Sequence, residues 1–254
     1  MLASIQKNEG VYCITEVHAN YADSYLKVRA KEGRIYTDAV VSALPTVPKE
    51  HPYFQEWSMR KNSTSRMLSY LKAKKKPLRI LDLGCGNGWF SHHLSLISNT
   101  EVCAVDLNIS ELQQAARIFK KEGLHFIYAD IFSKEADILH SFDVITVNSC
   151  IQYFSDIQAV IEVLTSKLTD SGELHILDSP FYKETEKAGA KERTSRYYKK
   201  VGVPEMAAHY FHHSLTDLER YDVLYQPKQT VLNRMLRKRI NPFSWIRITK
   251  ENEV

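Results

Sequence analysis

The chain has 254 residues, 44% of them hydrophobic and 25% charged, which allows one large domain or one domain with an appendage and excludes a disordered chain, a fibre or several full domains. Thirty-four basic side chains against thirty acidic ones leave a net charge of +4, a balance that tolerates an acidic ligand and argues against a nucleic-acid partner. Cys13, Cys85, Cys103 and Cys150 form no CxxC pair, no apolar run is long enough for a transmembrane segment, and MLASIQKNEG lacks the apolar stretch of a secretory signal, so a cytoplasmic chain with reduced thiols is expected.

In chain order, residues 1–76 read as an N-terminal cap. They hold a predicted strand pair (GVYCITEV and RIYTDAVV), a proline-marked linker from Leu44 to Pro52, and a helix leading into the basic run LKAKKKP. From Leu78 short apolar runs alternate with amphipathic ones: RILDLG, WFSHHLSLIS, EVCAVDL, ISELQQAARIFKKEG, LHFIYADIF, FDVITVN, IQAVIEVLTSKLTDSG and ELHILDS. Strands apolar on both faces and linked by helices belong to a parallel sheet covered on both sides, so the fold class is α/β and doubly wound. Ser110 is the predicted cap of the second of these helices, Ile109, Leu112, Ala116 and Phe119 its apolar face, and Gly123 its stop. Ile157, Val160, Ile161, Leu164 and Leu168 mark another helix, with a turn at Asp170-Ser171-Gly172. Residues 179–219 read as an inserted helical lid, and YDVLYQ and SWIRIT as a final strand pair, so that residues 77–254 form the second unit.

Asp82-Leu83-Gly84-Cys85-Gly86-Asn87-Gly88 follows a strand and opens a helix, where bare backbone N–H groups and a positive helix end receive an anionic group. Trp89 stands where a dinucleotide fingerprint needs its third glycine. Asp106, Asp130 and Asn148 end the next three strands, and the carboxyl ends of parallel strands share one edge, so these residues and Asp82 face one crevice. Asp106 lies eighteen residues beyond Gly88, close to the interval of roughly 20 at which an acidic group meets ribose hydroxyls.

With these residues in place the chain resembles the class I S-adenosylmethionine-dependent methyltransferases, and within them the small-molecule branch that includes the quinone-biosynthesis (type 11) enzymes. The resemblance rests on ILDLGCGNGWFS, EVCAVDLN, FIYADIF and FDVITVNSCIQYF, across residues 78–178. It implies a Rossmann-like, seven-stranded, mostly parallel sheet and S-adenosylmethionine as cofactor, with S-adenosylhomocysteine as product. It also implies that the loop from Asp82 through Gly84, Cys85, Gly86, Asn87 and Gly88 wraps the methionine part. Asp106 is then expected on the ribose, Leu107 beside the adenine, Asp130 and Ile131 around the adenine with Asp130 accepting its amino group, and Asn148 near the sulfonium. Arg60, in the helix before the first parallel strand, is the candidate for the cofactor carboxylate.

The same resemblance bounds the reaction. Asn148-Ser149-Cys150-Ile151 stands in place of the [DN]PP[YF] element of amino-nitrogen methyltransferases, and no Pro-Cys nucleophile precedes Ile151, so Cys150 reads as a small core residue. The expected activity is methyl transfer to an oxygen, nitrogen or carbon of a small-molecule acceptor. RNA methylation, through LKAKKKP and NRMLRKRINP, and an inactive cofactor-binding partner protein are the alternatives. His212 and His213 are the candidate bases in the lid, with His209 beside them; no metal is expected, because no acidic residue completes an HExxH pattern. Tyr182, Tyr197, Tyr198, Tyr210 and Phe211 are candidates to line an acceptor pocket. The oligomeric state stays open.

Overall fold

The computed structural model describes residues 5–17, 20–227 and 241–253. Its elements, in chain order, begin with strands β1 (Lys7–Asn8) and β2 (Val11–Cys13) and helices α1 (Asn20–Lys31), α2 (Asp38–Ala43) and α3 (Phe54–Ala73). There follow β3 (Leu78–Leu83), α4 (Trp89–Ser95), β4 (Thr100–Asp106), α5 (Ile109–Ile118), β5 (Leu124–Tyr128) and β6 (Phe142–Asn148). The chain continues through α6 (Ile157–Ser166), β7 (Leu168–Leu177), α7 (Glu184–Val201), β8 (Asp222–Tyr225) and β9 (Trp245–Thr249).

Among the described residues the strands form one sheet of nine in the order β1-β2-β5-β4-β3-β6-β7-β9-β8. From β2 to β7 neighbours run parallel, while β1 on β2, β9 on β7 and β8 on β9 are antiparallel. The α/β class is as expected, and seven of the strands, from β5 to β8 across the sheet, match the expected number. The two further strands are a short hairpin that extends the edge at β5, where Tyr12 lies in register with Ile127. The chain reverses direction across the sheet at β3, which has β4 on one side and β6 on the other, so a crevice opens at their carboxyl ends.

Period-two alternation sends successive side chains of each parallel strand to opposite faces. Leu81, Leu83, Val105, Ile145 and Val147 pack with Ile157, Val160, Ile161 and Leu164 of α6. Ile80, Val102, Ala104, Phe126 and Val144 pack with Met67 and Leu71 of α3, Leu94 of α4 and Leu112 of α5. The helix α6 is capped by Asp156, whose carboxylate accepts from the N–H groups of Gln158 and Ala159 at 2.9 and 3.1 Å.

Four local expectations are corrected. RIYTDAVV is not a strand: its second half is α2, held on α5 by Asp38, which accepts from Arg117 Nε at 2.8 Å and Gln114 Nε2 at 3.0 Å. The partner of the GVYCITEV strand is instead Lys7–Asn8. The cap of α5 is Asn108 and not Ser110, because Asp106 Oδ1 accepts the Asn108 N–H at 2.8 Å and turns the chain two residues earlier; the helix ends at Ile118, ahead of Gly123. Asp170-Ser171-Gly172 lies within β7 as a bulge: Leu168 pairs with Phe142, and the next pair is Glu173 with Val144. The basic run NRMLRKRINP lies outside the described residues up to position 240.

On the α3 side of the sheet, Glu173 gathers a buried ionic cluster away from the crevice. Its carboxylate accepts from Tyr70 Oη at 3.0 Å and pairs with Lys74 Nζ at 2.6 Å. Trp245 Nε1 donates to His175 Nδ1 at 3.1 Å, so the His175 proton sits on Nε2 and faces Glu173 at 3.3 Å. Burial pushes His175 below its ordinary pKa, leaving Lys74 and Arg247 as the cations beside Glu173 at neutral pH. Burial alone would raise the Glu173 pKa, but the hydrogen bonds from His175 and Lys74 and the charge beside it outweigh burial and hold the carboxyl at about 2. A depressed folded-state pKa contributes stability above the unfolded value near 4.3 and loses it as the pH falls toward the folded one. Glu173→Gln is therefore expected to cost about 2 kcal/mol at neutral pH, with the difference from wild type closing between roughly pH 4.5 and 2. Urea denaturation at several pH values measures it, and equal stability at pH 7 would refute it.

Candidate functional site

The loop between β3 and α4 lies at the sheet's carboxyl edge in a conformation that side chains resist. Gly84 has φ of +71° and Gly86 of +52°, the left-handed region in which a Cβ clashes with its own backbone. A Cβ on Gly84 would stand 2.3 Å from Cys150 Sγ. The N–H of Gly86 donates to Asp106 Oδ2 at 2.8 Å, and those of Gly84 and Cys85 to the Val105 carbonyl at 2.8 and 3.2 Å, so the end of β4 shapes the loop.

Two chambers flank the loop. The smaller, about 100 Å³, is bordered by Asp82, Gly84, Cys85, Gly86, Asn87 and Asn148, with Arg60, Glu56, Trp57 and Arg34 across it. Arg60 donates to Ser149 Oγ at 2.9 Å and to Glu56 Oε1 at 3.1 Å. Burial would raise the Glu56 pKa, but Arg34 and Arg60 outweigh it and hold the carboxyl at about 2. The Asp82 carboxylate is spent on the fold, accepting Ser91 Oγ at 2.5 Å and Thr146 Oγ1 at 2.7 Å; burial, reinforced by Asp106, pushes its pKa up to about 6.

The larger chamber, about 300 Å³, is bordered by Asp106, Leu107, Asp130 and Ile131, with Phe132, Tyr153, Phe154 and His209 around it. Asp106 closes β4, and burial raises its pKa. Asp130 follows β5 by two residues and accepts the Phe132 N–H at 3.0 Å, a turn that presents Ile131 and Phe132 to the chamber. Every predicted cofactor residue thus borders one chamber or both, save Gly88, which sits behind the loop where a Cβ would strike Phe126.

The lid candidates lie elsewhere. His212 Nε2 is 2.9 Å from Thr194 Oγ1, and His213 Nε2 is 3.1 Å from the Ile151 carbonyl; burial lowers the pKa of both, and neither borders the chambers, whereas His209 does. The expected aromatic lining is also displaced. Tyr198 and Tyr210 pack with Val28, Val203 and Met206, Tyr197 Oη donates to Glu32, and Tyr182 and Phe211 bond their neighbours through backbone N–H groups. Of these, Tyr197 and Tyr198 fasten α7 against α1 and the residue that follows it. Among the described residues no group of three His, Cys, Asp or Glu side chains is placed to hold a metal, and no helix is long and apolar enough to cross a membrane.

Three residues that the sequence reading passed over face both chambers: Tyr25 and Arg29 of α1 and Glu111 of α5. Arg29 Nε donates to Tyr25 Oη at 2.9 Å, the four-residue spacing on one helix face being the only local signal. Glu111 Oε2 accepts from Asn108 Nδ2 at 3.1 Å, and burial, with Asp106 nearby, pushes its carboxyl up to about 7.

Comparison with known proteins gives this geometry a family. Residues 74–238 match the methyltransferase domain family. A malonyl-[acyl-carrier protein] O-methyltransferase from Bacillus cereus is 28% identical over 160 residues, 56% of this chain and 59% of that protein. Its counterpart from Legionella pneumophila is 34% identical over 110 residues, 41% of this chain and 37% of that protein. The chain spans about half the length of the curated relatives it matches. Among solved structures, the magnesium protoporphyrin IX methyltransferase of Synechocystis, with bound S-adenosylhomocysteine, superposes with a TM-score of 0.52 at 15% identity, over 89% of this chain and 92% of that one. A methyltransferase complexed with the Trm112 activator of Haloferax volcanii gives 0.55 at 14% identity, over 87% and 95%. These two likenesses concern the fold alone. With the family match across most of the sheet and this strand order beneath it, the chain belongs to the methyltransferase domain family.

Proposed function

We propose that this protein methylates a small-molecule acceptor in the cytoplasm, holding S-adenosylmethionine across the two chambers. The observation that carries the reading is the adjacency of the chambers: Gly84, Gly86 and Ser149 line both. An adenosyl group fits the larger one, where Leu107 and Ile131 offer apolar surface, Asp106 a carboxylate for ribose hydroxyls and Asp130 an acceptor for the adenine amino group. A zwitterionic tail fits the smaller one, where Arg60 faces the loop residues Gly84 to Asn87 and meets a carboxylate; the N–H groups of Gly84, Cys85 and Gly86, expected bare, are instead bonded to Val105 and Asp106. S-Adenosylmethionine, when bound, supplies an activated methyl on a sulfonium.

Little is left for side chains beyond alignment and the exclusion of water. Asn148 and Ser149, at the end of β6, stand where acceptor and methyl meet; Ser149, at φ of +59°, is anchored through its N–H to the Leu177 carbonyl at 3.0 Å. The bound group would supply the methyl as an electrophile and keep the sulfur's electron pair, and the acceptor's proton would pass to water or to a base. An oxygen acceptor is favoured, because the named relatives are O-methyltransferases. Calorimetry with S-adenosylmethionine and S-adenosylhomocysteine tests the reading: both are expected to bind one site per chain, and absence of both overturns it. Methyl transfer to a panel of phenols, quinols, carboxylic acids and amines then identifies the acceptor class.

A further inference from the structure

We propose that Glu111 is the counter-charge to the cofactor's sulfonium and lets the site tell methyl donor from demethylated product by charge. The inference rests on the function proposed above. If adenosine lies in the larger chamber and the amino-acid tail in the smaller, the sulfur that joins them lies where the chambers meet. The carboxylate of Glu111 is at that junction: it borders both chambers, and a Cβ on Gly86 would stand 3.3 Å from its Oε2, so the oxygen hangs directly over the glycine loop.

Among the described residues the surroundings leave this carboxylate short of partners. Asn108 Nδ2 gives it one hydrogen bond, at 3.1 Å. The charged or titratable groups facing it are Asp106 from the end of β4, Cys85 from the loop, and Arg29 and Tyr25 from α1, with Glu56 and Arg60 of α3 across the smaller chamber. Asp106 opposes its ionisation; Arg29 favours it, but has its Nε on Tyr25 Oη at 2.9 Å and its NH1 toward Glu32 at 3.4 Å. Burial dominates, and the carboxyl sits at about 7, so the free site holds it partly protonated at neutral pH. A sulfonium beside it favours the ionised form, and a neutral thioether does not. Donor binding therefore expels a proton, and the preference for donor over product strengthens as the pH rises through 7. A buried carboxylate whose counter-charge is gone is costly, which favours release of the product.

Titration calorimetry of both ligands from pH 6 to 8.5, in buffers of different ionisation enthalpy, tests this in wild type, Glu111→Gln and Glu111→Met. The sulfonium lowers the donor's α-amino pKa relative to the product's, so the effect of Glu111 is read as the difference between wild type and the variants, which share that titration. In wild type the ratio of donor to product affinity is expected to climb on the order of tenfold across this range, the consequence of about one pKa unit of coupling. Proton release near pH 7 is expected to accompany the donor and not the product. In both variants the ratio is expected to be lower and to lack the part of the rise that Glu111 supplies. Equal proton release by both ligands in wild type, or a ratio in Glu111→Gln that tracks wild type at every pH, overturns the proposal. Equal loss of both ligands in the variants also overturns it, assigning Glu111 to a ribose hydroxyl or to the amino group. If wild type binds neither ligand, the methyltransfer reading fails and takes this one with it.

Discussion

Asp106→Ala is expected to weaken S-adenosylmethionine binding by about 3–4 kcal/mol, a few hundredfold, while leaving the chain folded. Two effects add. The variant loses the acceptor proposed for the ribose hydroxyls, where charge-assisted hydrogen bonds contribute roughly 1.5–3 kcal/mol each. It also loses the anchor of the glycine loop, because Asp106 Oδ2 holds the Gly86 N–H and Oδ1 the Asn108 N–H, both at 2.8 Å. Stability moves less, since opposing terms meet. Burial raises the Asp106 pKa above its ordinary value, so the ionised carboxylate costs stability at neutral pH, and its removal offsets part of the cost of two unpaired N–H groups. Asp106→Asn, which keeps one acceptor oxygen, is expected to fall between alanine and wild type. Calorimetry measures the affinity and thermal denaturation the fold; unaltered affinity in Asp106→Ala would show the ribose assignment to be wrong.

The parts of this molecule that a reading of the chain recovers are those whose signal is local. The parallel strands β3 to β6 are short apolar runs whose faces are both covered, and their carboxyl ends place Asp106, Asp130 and Asn148 on one edge by topology alone. What escaped depends on distant partners. The Asp38 carboxylate that fixes α2 is bonded to residues 76 and 79 positions away, and no alternation within RIYTDAVV reports them. Asn108 and Ser110 are equally good caps in sequence; the choice belongs to Asp106, which turns back onto the Asn108 N–H. Tyr25 and Arg29 come to the crevice because α1 packs over the carboxyl edge of a sheet built mostly from later residues. Glu111 reads as an exposed first-turn acid, which is where the helix dipole favours one, and only the closeness of Gly86 places it, half-buried, at the junction. Tyr197 and Tyr198 show the converse: aromatic side chains suited to a pocket are consumed in fastening α7 against α1.

The largest single effect on stability is expected at Gly84, and Cys150 supplies the means to dissect it. Gly84→Ala places a Cβ 2.3 Å from Cys150 Sγ and 2.6 Å from its Cβ, well inside contact distance, at a backbone φ of +71°. The left-handed conformation costs a non-glycine residue about 1 kcal/mol, and overpacking a filled site about 1–3 kcal/mol more. Neither side can give way cheaply: Cys150 Sγ donates to the Leu83 carbonyl at 3.2 Å, and Cys150 itself packs among Leu83, Val147 and Ile151. A total near 3–4 kcal/mol is a large share of the roughly 5–15 kcal/mol that holds a native chain together. Cys150→Ala alone removes a sulfur and leaves a small cavity, expected to cost about 1 kcal/mol. Combined with Gly84→Ala it removes the nearer clash, so the double variant is expected to be more stable than Gly84→Ala by about 1–2 kcal/mol, the signature of two residues in direct contact. The strain at positive φ persists in both, so full recovery is not expected. Urea denaturation of the four proteins closes the cycle, and additive costs would mean that the loop yields around the new methyl and that the close approach of Gly84 to Cys150 is not what requires glycine there.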